Sequence, residues 1–515
     1  MLIDLLAGYH DADFIIKGFT EGFRIGYIGT PVARTAKNND SINLLQKEAE
    51  AKINNELSAG RIRGPFPSSP LNNFISSPLS ITEKKEQNKF RLLHNLSYPY
   101  DATSVNANIP TSASSVKFSS VNDAINALKP LRTAFLAKTD IQNAFRLIPI
   151  HPNDQNLLGF SFKNQYYYDL CLPMGCSSSC QIFERFSDAL LFIFKKSHPN
   201  ASVIKYLDDF LFISPSFDQT LSYLSDFQSM CLQLGVPLAP NKTVLPTTNI
   251  SFLGIQIDAV SRQLSIPQSK IDKYLAHLDQ ILKSKLTSKK DLQSLTGKLN
   301  FCSYILPAGR AFLRRTYDLT TIFPDDYPIT ITPETSKDLS IWRQFLLDFN
   351  SRYYKIDRPL WSPSYIHLYS DASKKGFGAV FKRDYLVGKF PPSWQNFSIQ
   401  FLELYPIFLL VSIFFPALAN QEIVFNCDNL PIVSIINKAS SKDPLIMLLI
   451  RNMILKLINS NIIFRAIHIP GIDNVVTDAL SRQGWSPGLA SRFGLNPYPT
   501  PIPQHLLPSN FRTRC

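Results

Sequence analysis

The ten residues "IKYLDDFLFI", 204 to 213, set two adjacent carboxylates between two short apolar runs. Both runs are rich in β-branched and aromatic residues, so the segment predicts a tight hairpin with Asp208 and Asp209 at its bend. Two like charges held that close repel, and the pair destabilises a fold unless a cation neutralises it. A third carboxylate has similar surroundings: "TAFLAKTDIQNAFRLIPI" places Asp140 at the end of another apolar strand. With that strand beside the hairpin, Asp140 and Asp208 can share two divalent ions, with Asp209 close by. Two such ions about 3.5–4 Å apart stabilise the attacking and leaving oxygens of an in-line phosphoryl transfer. Magnesium suits the site, because it takes oxygen ligands and keeps waters or phosphates as the rest.

The formal net charge of +13 points to an anionic partner, nucleic acid first. A hydrophobic fraction of 45% against 18% charged residues is globular rather than disordered, and 515 residues predict about three or four domains. Seven cysteines scattered along so long a chain fit a reducing compartment rather than a disulfide framework. Cys171, Cys176 and Cys180 cluster without a second pair to complete a zinc site, so they read as small buried residues. The opening "MLIDLLAGYHDADF" lacks a basic start and meets Asp4, unlike a signal peptide. An uncharged stretch, "LYPIFLLVSIFFPALANQ" (404 to 421), is interrupted by Pro406 and Pro416 and has no basic anchors, which predicts a buried helix rather than a membrane span. The expectation is an intracellular chain, cytoplasmic, nuclear or both, with no membrane partner.

Residues 1 to about 60 form a mixed lead-in ending in the helical run "SINLLQKEAEAKINNELSAG". From about 81 to 262, strand-like runs alternate with helices, as in a mixed sheet. Residues 263 to 355 turn helical and basic, with Leu292, Leu295, Leu299 and Cys302 spaced as a core stripe. A second β-rich segment starts near Tyr365. In it Asp371 follows "YIHLY", Glu403 opens the apolar helix, Asp428 follows "EIVFNC", and Asp478 lies in "NVVTDALSR". One carboxylate thus stands at each of four element boundaries in a β-β-β-α-β-α-β-α order. Individually such residues are ordinary at strand ends and helix starts, so the signal is their joint placement. Six prolines from Pro487 to Pro508 predict an extended tail.

Taken in order, these segments resemble reverse transcriptases. "YLDD" is similar to the polymerase motif of that family, "KTDIQNAFRLIPI" to its first catalytic motif, and "LPMGCSSSCQIFERF" to its second. "NKTVLP" after "LGVPLAP" supplies a lysine, "FLGIQID" resembles the strand that grips the primer end, and "KKEQNKFRLL" resembles the fingers segment. "SDASKKGFGAV", "FNCDN" and "IPGIDNVVTDALSR" resemble ribonuclease H. "HNLSYP", "LTGKLNF" and "PAGRAFLRR" look most like the DIRS-type retrotransposons, the tyrosine-recombinase class.

The resemblance implies a multidomain α/β (α+β) chain: a right-hand polymerase of fingers, palm and thumb, followed by a ribonuclease H-like α/β domain. The expected divisions are a lead-in at 1–60, fingers and palm at 61–262, thumb and connection at 263–355, the ribonuclease H-like domain at 362–482, and the tail at 483–515. It makes Asp140, Asp208 and Asp209 the polymerase carboxylates, with the Ile141 carbonyl as a further metal ligand. Asp371, Glu403, Asp428 and Asp478 become those of the nuclease. Lys84 and Arg91 would hold the incoming dNTP, lysine as a mobile point charge and arginine through its planar fork. Lys242 is a candidate general acid toward pyrophosphate. Phe145 is the aromatic gate against a ribose 2′-hydroxyl, or else an ordinary core ring. Gly175 would let the backbone approach template and nucleotide. Met174 stands where many members carry glutamine, and a thioether makes no strong hydrogen bond there. His468 reads as structural.

The implied activity is RNA-directed DNA polymerase with linked ribonuclease H, copying a retroelement RNA. Its partners would be RNA template, DNA primer, RNA–DNA hybrid and dNTPs. Its cofactor would be two Mg2+ per site, with Mn2+ an alternative. Lys289, Lys290, Lys298, Arg314 and Arg315 are candidate phosphate contacts of the thumb. A decayed copy that only binds nucleic acid would have lost catalytic carboxylates, and all seven are present.

Overall fold

The computed structural model describes residues 2–83, 89–325, 327–348, 356 and 365–511. The chain divides into two compact units, one of residues 1–253 with 257–261 and one of 254–256 with 262–515.

The first unit is built on a four-stranded antiparallel sheet of β1 (Phe135–Asp140), β2 (Ser202–Tyr206), β3 (Asp209–Ser214) and β4 (Val244–Thr247), in the order β4-β1-β3-β2. Phe210, Phe212 and Ile213 on β3 are buried, which explains the unbroken apolar run after the two aspartates. Helices α1 (Ser179–Ser197) and α2 (Phe217–Gln233) cover the sheet, and Phe194 and Phe227 pack edge-on or tilted against its phenylalanines. The lead-in belongs to this same core: Leu6, Tyr9, Ile15, Phe23 and Ile25 are buried with Phe183 and Phe210. Asp154 accepts from Arg24 Nε at 2.9 Å and from the Ile25 N–H at 2.8 Å, fastening that segment. A second cluster joins the helix Gln46–Ser58 to the strand pair Leu79–Glu83 and Phe90–His94 through Ala49, Ile53, Leu79 and Ile81.

In the second unit, helices α3 (Gln268–Ser284), α4 (Lys289–Cys302), α5 (Arg314–Ile322) and α6 (Pro333–Asp348) come first. The stripe Leu292, Leu295, Leu299 and Cys302 is buried. A five-stranded sheet follows, ordered β7-β6-β5-β8-β9: β5 (Ile366–Ala372), β6 (Gly376–Phe381), β7 (Asp384–Lys389), β8 (Glu422–Cys427) and β9 (Ile463–His468). The first three strands are antiparallel and the last two run parallel to β5. Its helices are α7 (Ile399–Phe414), α8 (Leu430–Lys438), α9 (Pro444–Asn459) and α10 (Val475–Gln483).

The uncharged stretch is accounted for by α7, which is buried from Phe401 to Ser412 and runs through Pro406. Among the described residues, no helix is long and apolar enough to cross a membrane. The proline-rich tail differs from the extended chain expected of it. It forms a short helix, Pro487–Arg492, and buries Leu489, Ala490 and Leu506. Its Thr500 N–H donates to the Tyr385 carbonyl at 2.9 Å, and Phe511 packs on Trp394, Tyr405 and Phe408. Apolar residues between the prolines supply the contacts, so proline here sets the backbone path without preventing packing.

Candidate active sites

Asp140 closes β1 and Asp209 opens β3, and the register sets the two opposite each other. The turn between β2 and β3 holds Leu207 at φ +52°, a left-handed conformation that costs a non-glycine residue about 1 kcal/mol. Two backbone bonds fix the corner: the Ile141 N–H donates to the Asp208 carbonyl at 3.0 Å, and the Asp140 carbonyl accepts from Ala239 at 2.8 Å. Asp140 is only 5% exposed, and the Lys242 ammonium reaches both its carboxylate oxygens at 2.8 Å. Burial and then repulsion from Asp140 push Asp208 up to about 6, with Asp209 adding and Lys242 opposing. Asp209 is raised by burial and by Asp140 as well. Asp208 and Asp209 are raised although Lys138 and Lys242 act against the rise, the electrostatics of a site that further positive charge would relieve.

These carboxylates border a cleft of about 470 Å³ whose lining includes Arg91, Phe145, Met174 and Lys242 with Asp140, Ile141 and Asp208. Arg91 is exposed on the strand Phe90–His94. Phe145 lies edge-on to Phe183, centroids 5.4 Å apart, with its ring partly buried. Lys84 lies outside the described residues. Gly175 has a reason nearer than template: a Cβ there would fall 1.8 Å from the His94 carbonyl oxygen, so the close approach is to the chain's own backbone.

The second carboxylate set gathers on the other sheet. Asp371 on β5 faces Gly378 on β6. A Cβ at Gly378 would meet Leu480 at 2.5 Å, so the glycine lets α10, and with it Asp478, lie close on the sheet. Glu403 sits in the first half of α7 and Asp428 directly after β8. Burial, then Asp371 and Asp428, push Glu403 up to about 9. Its Oε2 is buried without a hydrogen-bond partner, an orphaned oxygen that a cation could satisfy. Burial also raises Asp371, with repulsion from Asp428 and Asp478, while the Ser481 hydroxyl donates to its Oδ2. Asp478 accepts from Arg482 Nε at 2.6 Å. Among the described residues, the one trio of ligand atoms lying within 4.8 Å of one another is Glu403, Cys427 and Asp428. His468 Nε2 lies 3.2 Å from the Asp428 carbonyl, a backbone contact.

Residues 82–257 match the family model described as reverse transcriptase (RNA-dependent DNA polymerase). That span is a reverse transcriptase domain. The chain is 22% identical over 380 residues to the putative enzymatic polyprotein of Cassava vein mosaic virus, covering 70% of this chain and 54% of the relative. It is 25% identical over 360 residues to the enzymatic polyprotein of Cauliflower mosaic virus (strain D/H), covering 67% and 50%. The chain therefore spans about half the length of these curated relatives. Among solved structures, it resembles the foamy viral protease-reverse transcriptase. The dRH form in complex with ds DNA matches at TM-score 0.50 and 17% identity, over 86% of this chain and 73% of that one. The form in complex with RNA/DNA hybrid matches at TM-score 0.50 and 16%, over 86% and 56%. The fold is that of a right-hand polymerase followed by a ribonuclease H-like domain.

Within the reverse transcriptase domain, sequence reasoning missed a buried ionic chain under the cleft. Arg146 Nη2 lies 2.7 Å from Asp169 Oδ1, and Asp169 Oδ2 lies 3.0 Å from His94 Nδ1. Arg146 Nε also donates to Glu56 at 2.9 Å. Arg146 directly follows Phe145 and His94 opens "HNLSYP", so both stood inside quoted motifs, but no spacing rule links residues so far apart. Cys427 directly precedes Asp428, and Ser481 follows Asp478 by three positions. The five basic residues read as phosphate contacts differ in their engagement. Lys289 pairs with Asp325, Lys298 with His277, Arg314 with Asp318 and Arg315 with the buried Asp338, while Lys290 is exposed.

Proposed function

We propose that this chain is an RNA-directed DNA polymerase with linked ribonuclease H activity, and that it copies a retroelement RNA, most like the DIRS type, into DNA. The observation that carries the reading is the pairing of Asp140 with Asp209 beside the strained Leu207 turn, with Asp140 and Asp208 lining a cleft of about 470 Å³. Oxygen donors crowded closely enough that burial and mutual repulsion raise Asp208 and Asp209 fit paired divalent cations, magnesium or manganese. Such a pair, when bound, would polarise the phosphate and the attacking oxygen.

The chain's own residues do the rest. Asp140, Asp208 and Asp209, with the Ile141 carbonyl, hold the cations. Arg91, with Lys84, grips the triphosphate, and Phe145 excludes a ribose 2′-hydroxyl. Lys242, hydrogen-bonded to Asp140 and lining the same cleft, is the general acid of this reading toward departing pyrophosphate. In the second site Asp371, Glu403, Asp428 and Asp478 hold the cations, and Ser481 fixes the orientation of Asp371. The +13 charge supports primer–template and RNA–DNA hybrid as partners, as do the foamy viral complexes with ds DNA and RNA/DNA hybrid.

The test is primer extension on an RNA template with magnesium, beside cleavage of the RNA in a hybrid. Asp208→Asn should abolish synthesis and spare cleavage, and Asp371→Asn should do the reverse. Extension by the Asp208→Asn chain at the wild-type rate would overturn the assignment.

A further inference from the structure

Three segments that line or support the cleft meet at one buried chain of charges. Phe145 is followed by Arg146, whose side chain is 15% exposed. Arg146 reaches Asp169 at 2.7 Å and Glu56 at 2.9 Å, and it donates to the Cys171 and Leu172 carbonyls at 3.0 and 3.2 Å. Asp169 holds His94 Nδ1 at 3.0 Å, and His94 Nε2 meets the Gly159 carbonyl at 2.9 Å. His94 ends the strand that carries Arg91, and its carbonyl is the atom against which Gly175 packs. The turn bearing Phe145, the strand bearing Arg91 and the loop bearing Met174 are thereby tied to one another, and Glu56, His94, Arg146 and Asp169 all line the cleft.

We propose that the Arg146–Asp169–His94 chain is a positioning device for the incoming nucleotide, setting Arg91 and Phe145 in one geometry relative to the carboxylates. This rests on the polymerase reading above. A guanidinium that bonds two carboxylates and three carbonyls, those of Cys171, Leu172 and Arg61, fixes its neighbours in direction as well as distance, which a lysine cannot do. Among the described residues, no hydrogen bond or ion pair joins Arg146, Asp169 or His94 to Asp140 or to the 207–208 turn. Their loss therefore acts on nucleotide placement more than on the chemical step.

The experiment is single-nucleotide extension of a primer on RNA by the full chain, with dNTP and the matching rNTP each titrated. Primer–template binding by fluorescence anisotropy and hybrid cleavage are measured on the same preparations. For Asp169→Asn and Arg146→Lys, the dNTP KM should rise about tenfold or more with kcat little changed, and the dNTP-over-rNTP preference should fall. Primer–template binding and hybrid cleavage should stay at wild-type level. An unchanged KM and preference in a wild-type background that extends primers overturns this inference alone. So does a joint loss of kcat, KM and primer–template binding, the mark of a purely structural staple. Should Asp169→Asn fail to fold, Arg146→Lys keeps the charge and decides by the same KM-against-kcat split. A wild-type chain that binds primer–template and never extends it overturns the polymerase reading, and this inference with it.

Discussion

Replacing Glu403 by glutamine should stabilise the metal-free protein at neutral pH while abolishing RNA cleavage. The buried carboxyl titrates near 9 instead of its ordinary 4.5, chiefly through burial and then through Asp371 and Asp428. Between those two values the folded chain binds a proton that the unfolded chain has released. Stability therefore falls as pH rises through that window: the penalty is absent below 4.5 and complete above about 9. At pH 7 the gap from 4.5, at about 1.4 kcal/mol per pH step, is on the order of 3 kcal/mol. A glutamine carries no charge at any pH and escapes this penalty. All four tryptophans lie in the second unit, so urea unfolding followed by tryptophan fluorescence reports on that unit. In EDTA the variant should exceed wild type by on the order of 1 kcal/mol or less at about pH 5, by about 3 kcal/mol at about pH 7, and by more at about pH 8.5. Magnesium should narrow the gap by stabilising wild type preferentially. A wild-type chain that grows more stable from about pH 5 to about pH 8.5, or a gap independent of pH, would falsify the electrostatic account of this pocket.

Phe145→Ala should lower discrimination against ribonucleotides by about tenfold or more while primers are still extended with dNTPs, and unchanged discrimination would return the ring to the core. Gly175→Ala forces a Cβ to 1.8 Å from the His94 oxygen. It should lower stability by about 2 kcal/mol or more in a thermal melt followed by circular dichroism, and a wild-type melting curve would contradict the close contact.

The sequence carried the parts of the fold that repeat a local pattern. "YLDD" between β-branched runs specifies its hairpin because strand alternation and a tight turn act over a few residues. The stripe from Leu292 to Cys302 followed from helical spacing for the same reason. Gly175 and the tail were harder. Gly175 is required by His94, eighty-one positions earlier, and no periodicity encodes that contact. The tail's prolines argued for an open chain, yet Leu489, Leu506 and Phe511 find partners on a surface that exists only once α7 and the sheet have formed. The Arg146–Asp169–His94 chain escaped notice because charged residues usually face solvent, and only three-dimensional closure reveals which are enclosed.

The wrapped tail bears on how the ribonuclease H-like domain is handled as an isolated piece. Tyr405, in the middle of α7, donates its hydroxyl to the Leu506 carbonyl and stacks edge-on with Phe511. A fragment ended at Arg482, the boundary suggested by the motifs alone, would bare the aromatic patch of Trp394, Tyr405 and Phe408 to water. Such a fragment should aggregate more readily than one carried through Phe511, which keeps those rings covered.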